Sequence, residues 1–237
     1  MAMAPKTHKT FDFEQLTFGS QTTSTRSGGK CVRVGYGPTY SQVEFQLGTM
    51  PENTLVCAWG AELANKEDPT SGKIMKLELD EASHAFLTRF DEATVAAANQ
   101  YSQSWFNRPT PTHSHNSSIK QQNGTLPNGN PRPNVVKIKI KEEGPRATKI
   151  SVCRLHGDNG TADWVPGTMA DIVKGSRVLV RCRVQGGVYF FSRMYGCSLE
   201  AVSVRVVFND DTTQNGGDDF DMGDCIMVDT DDVDSLP

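Results

Sequence analysis

SRVLVRCRVQGGVYFFSRMYGCSLEAVSVRVVF, residues 176–208, alternates apolar and polar positions over most of its length. Successive side chains of a strand point to opposite faces, so alternation of this kind marks half-buried strands. In 176–184, Val178, Val180, Cys182 and Val184 fall on one face, and Arg177, Arg181 and Arg183 on the other with Leu179. In 201–208 of the strand read at 199–208, Val202, Val204, Val206 and Phe208 point inward, and Ser203 and Arg205 outward. Between them GVYFFS (187–192) reads as a further strand, with Phe190 on the face opposite to Tyr189 and Phe191. The fold is therefore mainly β.

Working outward, NVVKIKIK (134–141) sorts in the same way, with Val136, Ile138 and Ile140 inward and Lys137, Lys139 and Lys141 outward. TKISVCRL (148–155) is another strand and carries Lys149. Earlier β-like runs lie at 30–36, 42–48, 54–59 and 73–79, bounded by Gly, Pro and Asn. One helix is predicted over 81–106, where Leu87, Phe90, Thr94, Ala97, Tyr101 and Trp105 recur at three- and four-residue steps. It reads as a packing helix. Residues 107–134 are rich in Pro, Asn, Ser and Thr and are expected to form a flexible inserted loop. His113 and His115 in that loop make an H-x-H pair, but with no nearby Cys or acidic ligand a solvated pair is favoured over a metal site.

Charge is unevenly distributed. Residues 209–237 hold ten Asp and no Lys, Arg, His or Glu. Removing those ten from the 28 acidic residues leaves 18 against 24 Lys and Arg, a net of +6 over residues 1–208. A basic body with an acidic tail points to nucleic acid as the partner. The tail and residues 1–10 are expected to be disordered. A coil of the tail's length spans about 30 Å, enough to visit a groove on the same molecule. No run approaches a membrane span and the N-terminus lacks the apolar stretch of a secretory signal, so an intracellular protein with no membrane partner is expected. Six Cys stand far apart without a CxxC pair, four of them inside apolar runs, and are expected to be buried thiols.

The strand exteriors carry Lys and Arg with almost no Asp or Glu, whereas ordinary surfaces mix both signs. GGVYFFSRMYG adds Tyr189, Phe190, Phe191 and Tyr195 around Arg193, and Tyr36, Tyr40 and Trp164 are further loop-adjacent rings. Aromatic faces beside a cationic groove suit single strands, because every base offers a π-face. The expected phosphate contacts are Lys137, Lys139, Lys141, Lys149, Arg177, Arg181, Arg183 and Arg193; the expected stacking rings are Tyr189, Tyr195, Phe191 and Trp164. Phosphate-loop, dinucleotide, nucleophile-elbow and zincin motifs are missing, and the Asp cluster sits in the tail, away from any rigid site. The expectation is a binding protein, not an enzyme, with no cofactor and no metal.

The motif KG-x-x-V-x-V (Lys174 to Val180), the YFF segment, YG-x-SLEAV-x-V (Tyr195 to Val204) and the Asp-rich tail together resemble a known group. They are similar to the bacteriophage T7-type single-stranded DNA-binding proteins and their relatives in large nucleocytoplasmic DNA viruses, with SWF (Ser104 to Phe106) also matching the viral members. The likeness covers about 50 residues firmly. It implies an OB-fold-like five-stranded Greek-key barrel, residues 11–208, with one packing helix, a long inserted loop and an acidic tail. It implies single-stranded DNA as ligand, in replication, recombination or repair, at the site of viral DNA replication in host nucleus or cytoplasm. It also implies replication proteins as partners of the tail, which competes with DNA for the groove. Homo-oligomer formation is compatible with the sequence. The tail lacks a terminal aromatic found in some phage members, and the 107–134 loop is longer than a minimal member requires. The alternative is a histone-chaperone-like β-protein whose acidic tail engages basic partners.

Overall fold

The computed structural model describes residues 6–25, 29–49, 54–68, 71–156 and 161–208. In chain order the elements are β1 (Leu16–Phe18), β2 (Thr23–Ser24), β3 (Lys30–Val32), β4 (Val34–Tyr36), β5 (Glu44–Leu47), β6 (Leu55–Leu63) and β7 (Lys73–Glu78). Then follow α1 (Glu81–Gln100), α2 (Ser102–Phe106), β8 (Ser114–His115), β9 (Ile119–Lys120) and β10 (Val135–Ile140). The chain continues with β11 (Lys149–His156), β12 (Thr161–Pro166), β13 (Arg177–Phe191) and β14 (Met194–Phe208). The acidic tail expected at 209–237 lies outside the described residues.

Five strands close into a ring. β6 pairs with β7, β7 with β10, β10 with β14, β14 with β13, and β13 returns to β6. Within this ring only the β10–β14 pairing is parallel. This is the OB-like five-stranded barrel. Its interior is filled by apolar positions that alternation selected, Ile138, Val178, Val180 and Val204, together with Cys57, Met75 and Leu77; all are completely buried. Each such side chain stabilises the fold by about 1.5–3 kcal/mol relative to an exposed one. Cys57, Cys182 and Cys197 are free and buried, and burial pushes the Cys197 thiol up to about 12 and that of Cys182 higher still. Both stay protonated and pack as small apolar groups. Cys31 and Cys153 are half-buried.

The stretches expected as two strands, 176–184 and 187–192, are one 15-residue strand. It survives the Gly pair because that pair is a bulge: the register with β14 shifts between Gln185 and Val188. Gly187 sits at φ +98, and a Cβ there would lie 2.0 Å from the carbonyl oxygen of Val32, so only glycine fits. Bent in this way, one edge of β13 serves β6, β5 and β3 in succession. β14 does the same for β8, β10 and β11, and β12 extends the sheet beyond β11. β12 had no counterpart in the sequence reading.

The expected helix forms over 81–106 but breaks at Tyr101, where φ is −103 and ψ 20. Asp80 caps it by accepting from the Ser83 amide at 2.7 Å. Its apolar stripe covers the barrel, with Phe86 and Phe90 centred 4.9 and 5.9 Å from Phe45. The 107–134 segment is tied down in three places. β8 pairs with β14, β9 pairs with β10, and the buried carboxylate of Asp91 on α1 accepts from Ser117 Oγ at 2.6 Å and from the amide and hydroxyl of Ser118, each at 2.9 Å. At the other end of the chain, residues 8–10 form a turn and the Lys6 carbonyl accepts from the Gln46 amide at 2.7 Å.

Candidate nucleic-acid interface

On the outside of the barrel, β7 and β10 lie side by side, with Lys76 opposite Lys137 and Ile74 opposite Lys139. Residues paired across a ladder share a face, so these side chains form one surface. Lys137 and Lys139 are exposed. Lys139 Nζ donates to Gln185 Oε1 at 2.8 Å, and Lys76 Nζ donates to Glu62 Oε1 at 2.6 Å. Lys76 holds the Glu62 carboxyl below its ordinary range. Glu62 and Glu78 are the acids at outward positions on this stretch of sheet.

The ring that completes the surface is Trp59, which the sequence reading did not single out. It is 45% exposed, and the ammonium groups of Lys76 and Lys174 each stand 5.7 Å from its centroid. Alternation from Leu55 and Cys57 would turn Trp59 into the core. A register shift between Cys57 and Ala61, with Gly60 at φ +74, turns it out instead. A Gly directly after an apolar strand residue was the signal for that bulge.

A second exposed cluster caps the β13–β14 hairpin. The two-residue turn is Ser192–Arg193, with φ +46 and +61, and Phe191 beside it is 70% exposed, with Met194 at 38%. Both central residues at positive φ give the primed turn that matches strand twist, at a cost in strain for non-glycine residues. Arg193 is exposed, as expected.

Other expected site residues are placed differently. Arg183 was read as outward, and it does lie opposite the buried Cys182 and Val184, but it is 9% exposed because its partners cover it. Its guanidinium donates to Glu200, directly across on β14, and to the Arg146 carbonyl. Arg181 is half-buried and donates from Nε and Nη2 to Glu44 Oε2 at 3.1 and 2.8 Å. The outer face of β13 and β14 therefore carries its own counter-charges, contrary to the acid-free face expected. Tyr195 was read as a stacking ring but is 3% exposed, packed against Phe106 and His115, so it offers no free face. Tyr189 is half-buried and its hydroxyl accepts from Asn116 Nδ2.

Lys141, Lys149 and Arg177 are exposed. Trp164 is half-buried on β12 under the Arg205 guanidinium, 5.4 Å from the ring centroid. The ladders carry Lys149 and Trp164 on the β11–β12 wing, away from the β7–β10 pair. His115 is packed between Tyr195 and Asp91, not solvated, and His113 lies against Phe106. Among the described residues no group of three or more His, Cys, Asp or Glu is placed to hold a metal ion. Nor is any described helix long and apolar enough to cross a membrane.

No family model matches the chain, and no curated protein matches it either. Solved structures do. The single-stranded DNA-binding protein from bacteriophage Enc34 in complex with ssDNA aligns with a TM-score of 0.42 at 11% identity, covering 80% of this chain and 96% of that one. Gp2.5, a single-stranded DNA-binding protein encoded by bacteriophage T7, aligns with a TM-score of 0.41 at 16% identity, covering 76% of this chain and 100% of that one. The likeness is to phage single-stranded DNA-binding proteins. At these values it fixes neither family nor activity, and the functional reading rests on the surface of this chain.

Proposed function

We propose that this protein binds single-stranded DNA without sequence preference, coating it during replication, recombination or repair, and that it is a binder and not a catalyst. The observation that carries this reading is Trp59, an exposed ring flanked by Lys76 and Lys174 on a barrel face where Lys137 and Lys139 are also exposed. The lysines supply phosphate contacts and the ring supplies a stacking platform that only an unpaired base can use. Phe191 and Arg193 at the hairpin tip repeat the pairing of ring and cation. Such a surface reads the backbone and the π-faces, not base edges, and so tolerates any sequence.

In this reading residues 209–237, with ten Asp, compete with DNA for the lysine face and contact basic replication partners. The test is a set of binding isotherms with single-stranded DNA, duplex and RNA of one length at several salt concentrations, for the full chain and for residues 1–208. Single-stranded DNA should bind tightest, with a log–log salt slope of about −2 to −3 for three to four phosphates. Removing 209–237 should tighten binding most at low salt, where attraction over a Debye length is least screened. Equal affinity for duplex, or a slope near zero, overturns the reading. An acidic tail that binds basic proteins while the body ignores DNA would favour the chaperone-like alternative.

A further inference from the structure

A second groove opens beside the Gly186–Gly187 bulge of β13. It encloses about 330 Å³ and is lined by Arg33, Tyr40, Gln42, Arg146 and the two glycines. That is the size of small-ligand sites. Among the described residues neither Arg33 nor Arg146 forms an ion pair, whereas the nearby acids Glu44 and Glu200 are held by Arg181 and Arg183. Among the described residues the groove thus keeps two guanidinium groups without a counter-charge.

Tyr40 shows how firmly the groove is built. Its φ is +53, an outlier for a bulky residue, and such strain persists only where the surroundings impose it. Its hydroxyl donates to the Arg33 carbonyl at 2.9 Å. Its ring lies flat on Gly35, where a Cβ would come within 2.5 Å of it. The Arg33 guanidinium covers the ring from 5.1 Å. Tyr40 thus fixes Arg33 as an oriented planar cation, and a guanidinium plane is a stacking surface for a base.

The groove also continues the surface already described. Lys139 is bonded to Gln185, the residue before Gly186, and Gln185 Nε2 donates to Glu200 at 3.0 Å. Glu200 is held by Arg183, which also donates to the Arg146 carbonyl. A chain of polar contacts thus leads from the lysine face to the groove.

We propose that this groove is a nucleotide subsite of the bound strand, with a base laid on the Arg33 guanidinium over Tyr40 and a phosphate held by Arg146. This rests on the single-stranded DNA reading. A free nucleoside monophosphate offers the same groups, so it serves as a separate probe.

The test uses the full chain and oligothymidylates of about 4 to 16 nucleotides, the range one such barrel occupies. Arg33→Ala with Arg146→Ala should leave the shortest oligomers unchanged and weaken the longest about tenfold, the scale of one stacked base. It should also flatten the salt slope on long oligomers by about 0.7 per lost phosphate contact. Arg33→Lys with Arg146→Lys should restore the slope but not the affinity. Thymidine monophosphate should not displace the long oligomers at comparable concentration; if it does, the groove is a free-nucleotide site and the strand assignment is wrong. Double-Ala binding equal to wild type at every length, or weakened equally at every length, overturns the subsite. If the double-Ala protein melts early, Arg146→Ala alone decides, since its carbonyl contact is retained. Wild-type protein that binds no oligomer overturns the single-strand reading itself, which distinguishes the two failures.

Discussion

Two cationic faces of the barrel look alike in the sequence and differ in the structure. On β7 and β10, Lys137 and Lys139 stand exposed with no ion pair among the described residues. On β13 and β14, Arg181 and Arg183 are taken by Glu44 and Glu200. A charge with a partner in the protein has less to gain from a phosphate, and a buried guanidinium cannot reach one. In the proposed reading the lysine face receives the strand, while the arginine face is a seam that holds β5, β13 and β14 together.

The comparison breaks first at Arg183. Arg183→Ala leaves Glu200 buried without its counter-charge, and losing one partner of such a pair costs about 3–5 kcal/mol. Denaturant or thermal unfolding should show that loss, and a variant as stable as the wild type would return Arg183 to the surface. Next comes Trp59. Trp59→Ala should weaken single-stranded DNA by about 1–3 kcal/mol, the worth of one stacked base, with unfolding unchanged because the ring is half in solvent. Anisotropy titration checks it, and unaltered affinity would move the stacking site to the hairpin tip.

A smaller effect separates the lysines from Arg181. Lys137→Ala with Lys139→Ala should flatten the salt slope by about 1.4, two contacts at 0.7 each. Arg181→Ala should leave the slope unchanged and lower stability by at most about 1 kcal/mol, as partly exposed pairs do. The reverse pattern would invert the assignment of the two faces.

The smallest effect concerns the segment that joins them. His115 is held below its ordinary value of 6.5, chiefly by burial, with Asp91 opposing and Lys120 reinforcing. The unfolded chain therefore takes up this proton first as pH falls. The stability tied to neutral His115 is complete above about 6.5 and is lost as pH drops toward the folded value. Amide exchange over residues 113–120 should quicken on acidification once intrinsic exchange is corrected for. His115→Gln, which cannot charge, should remove that pH dependence.

Much of this was legible beforehand. Binary alternation selected the buried residues of β10 and β13, and the three- and four-residue steps found the helix. Both follow from local geometry, which each segment imposes on itself. The resemblance supplied the barrel. The errors at the site have separate causes. Trp59 sits within a bulge between Cys57 and Ala61 that turns it outward, and a bulge is set by the partner strand. Arg183 lies on the expected face but is covered by Glu200 from β14. Tyr195 was misplaced because α2 and the 107–134 segment cover it, with Phe106 and His115 against its ring.

By itself the sequence determined the sign of the body's charge, the strand-rich architecture and the sets of residues that could face solvent, because composition and period are properties of one chain segment at a time. Only the tertiary structure decided which cations are free. Glu44 lies 137 positions from the arginine it neutralises, while Glu200 sits on the neighbouring strand directly across from Arg183. Pairing at such distances depends on ring closure and register, which bring remote segments together and leave no trace in the pattern of either.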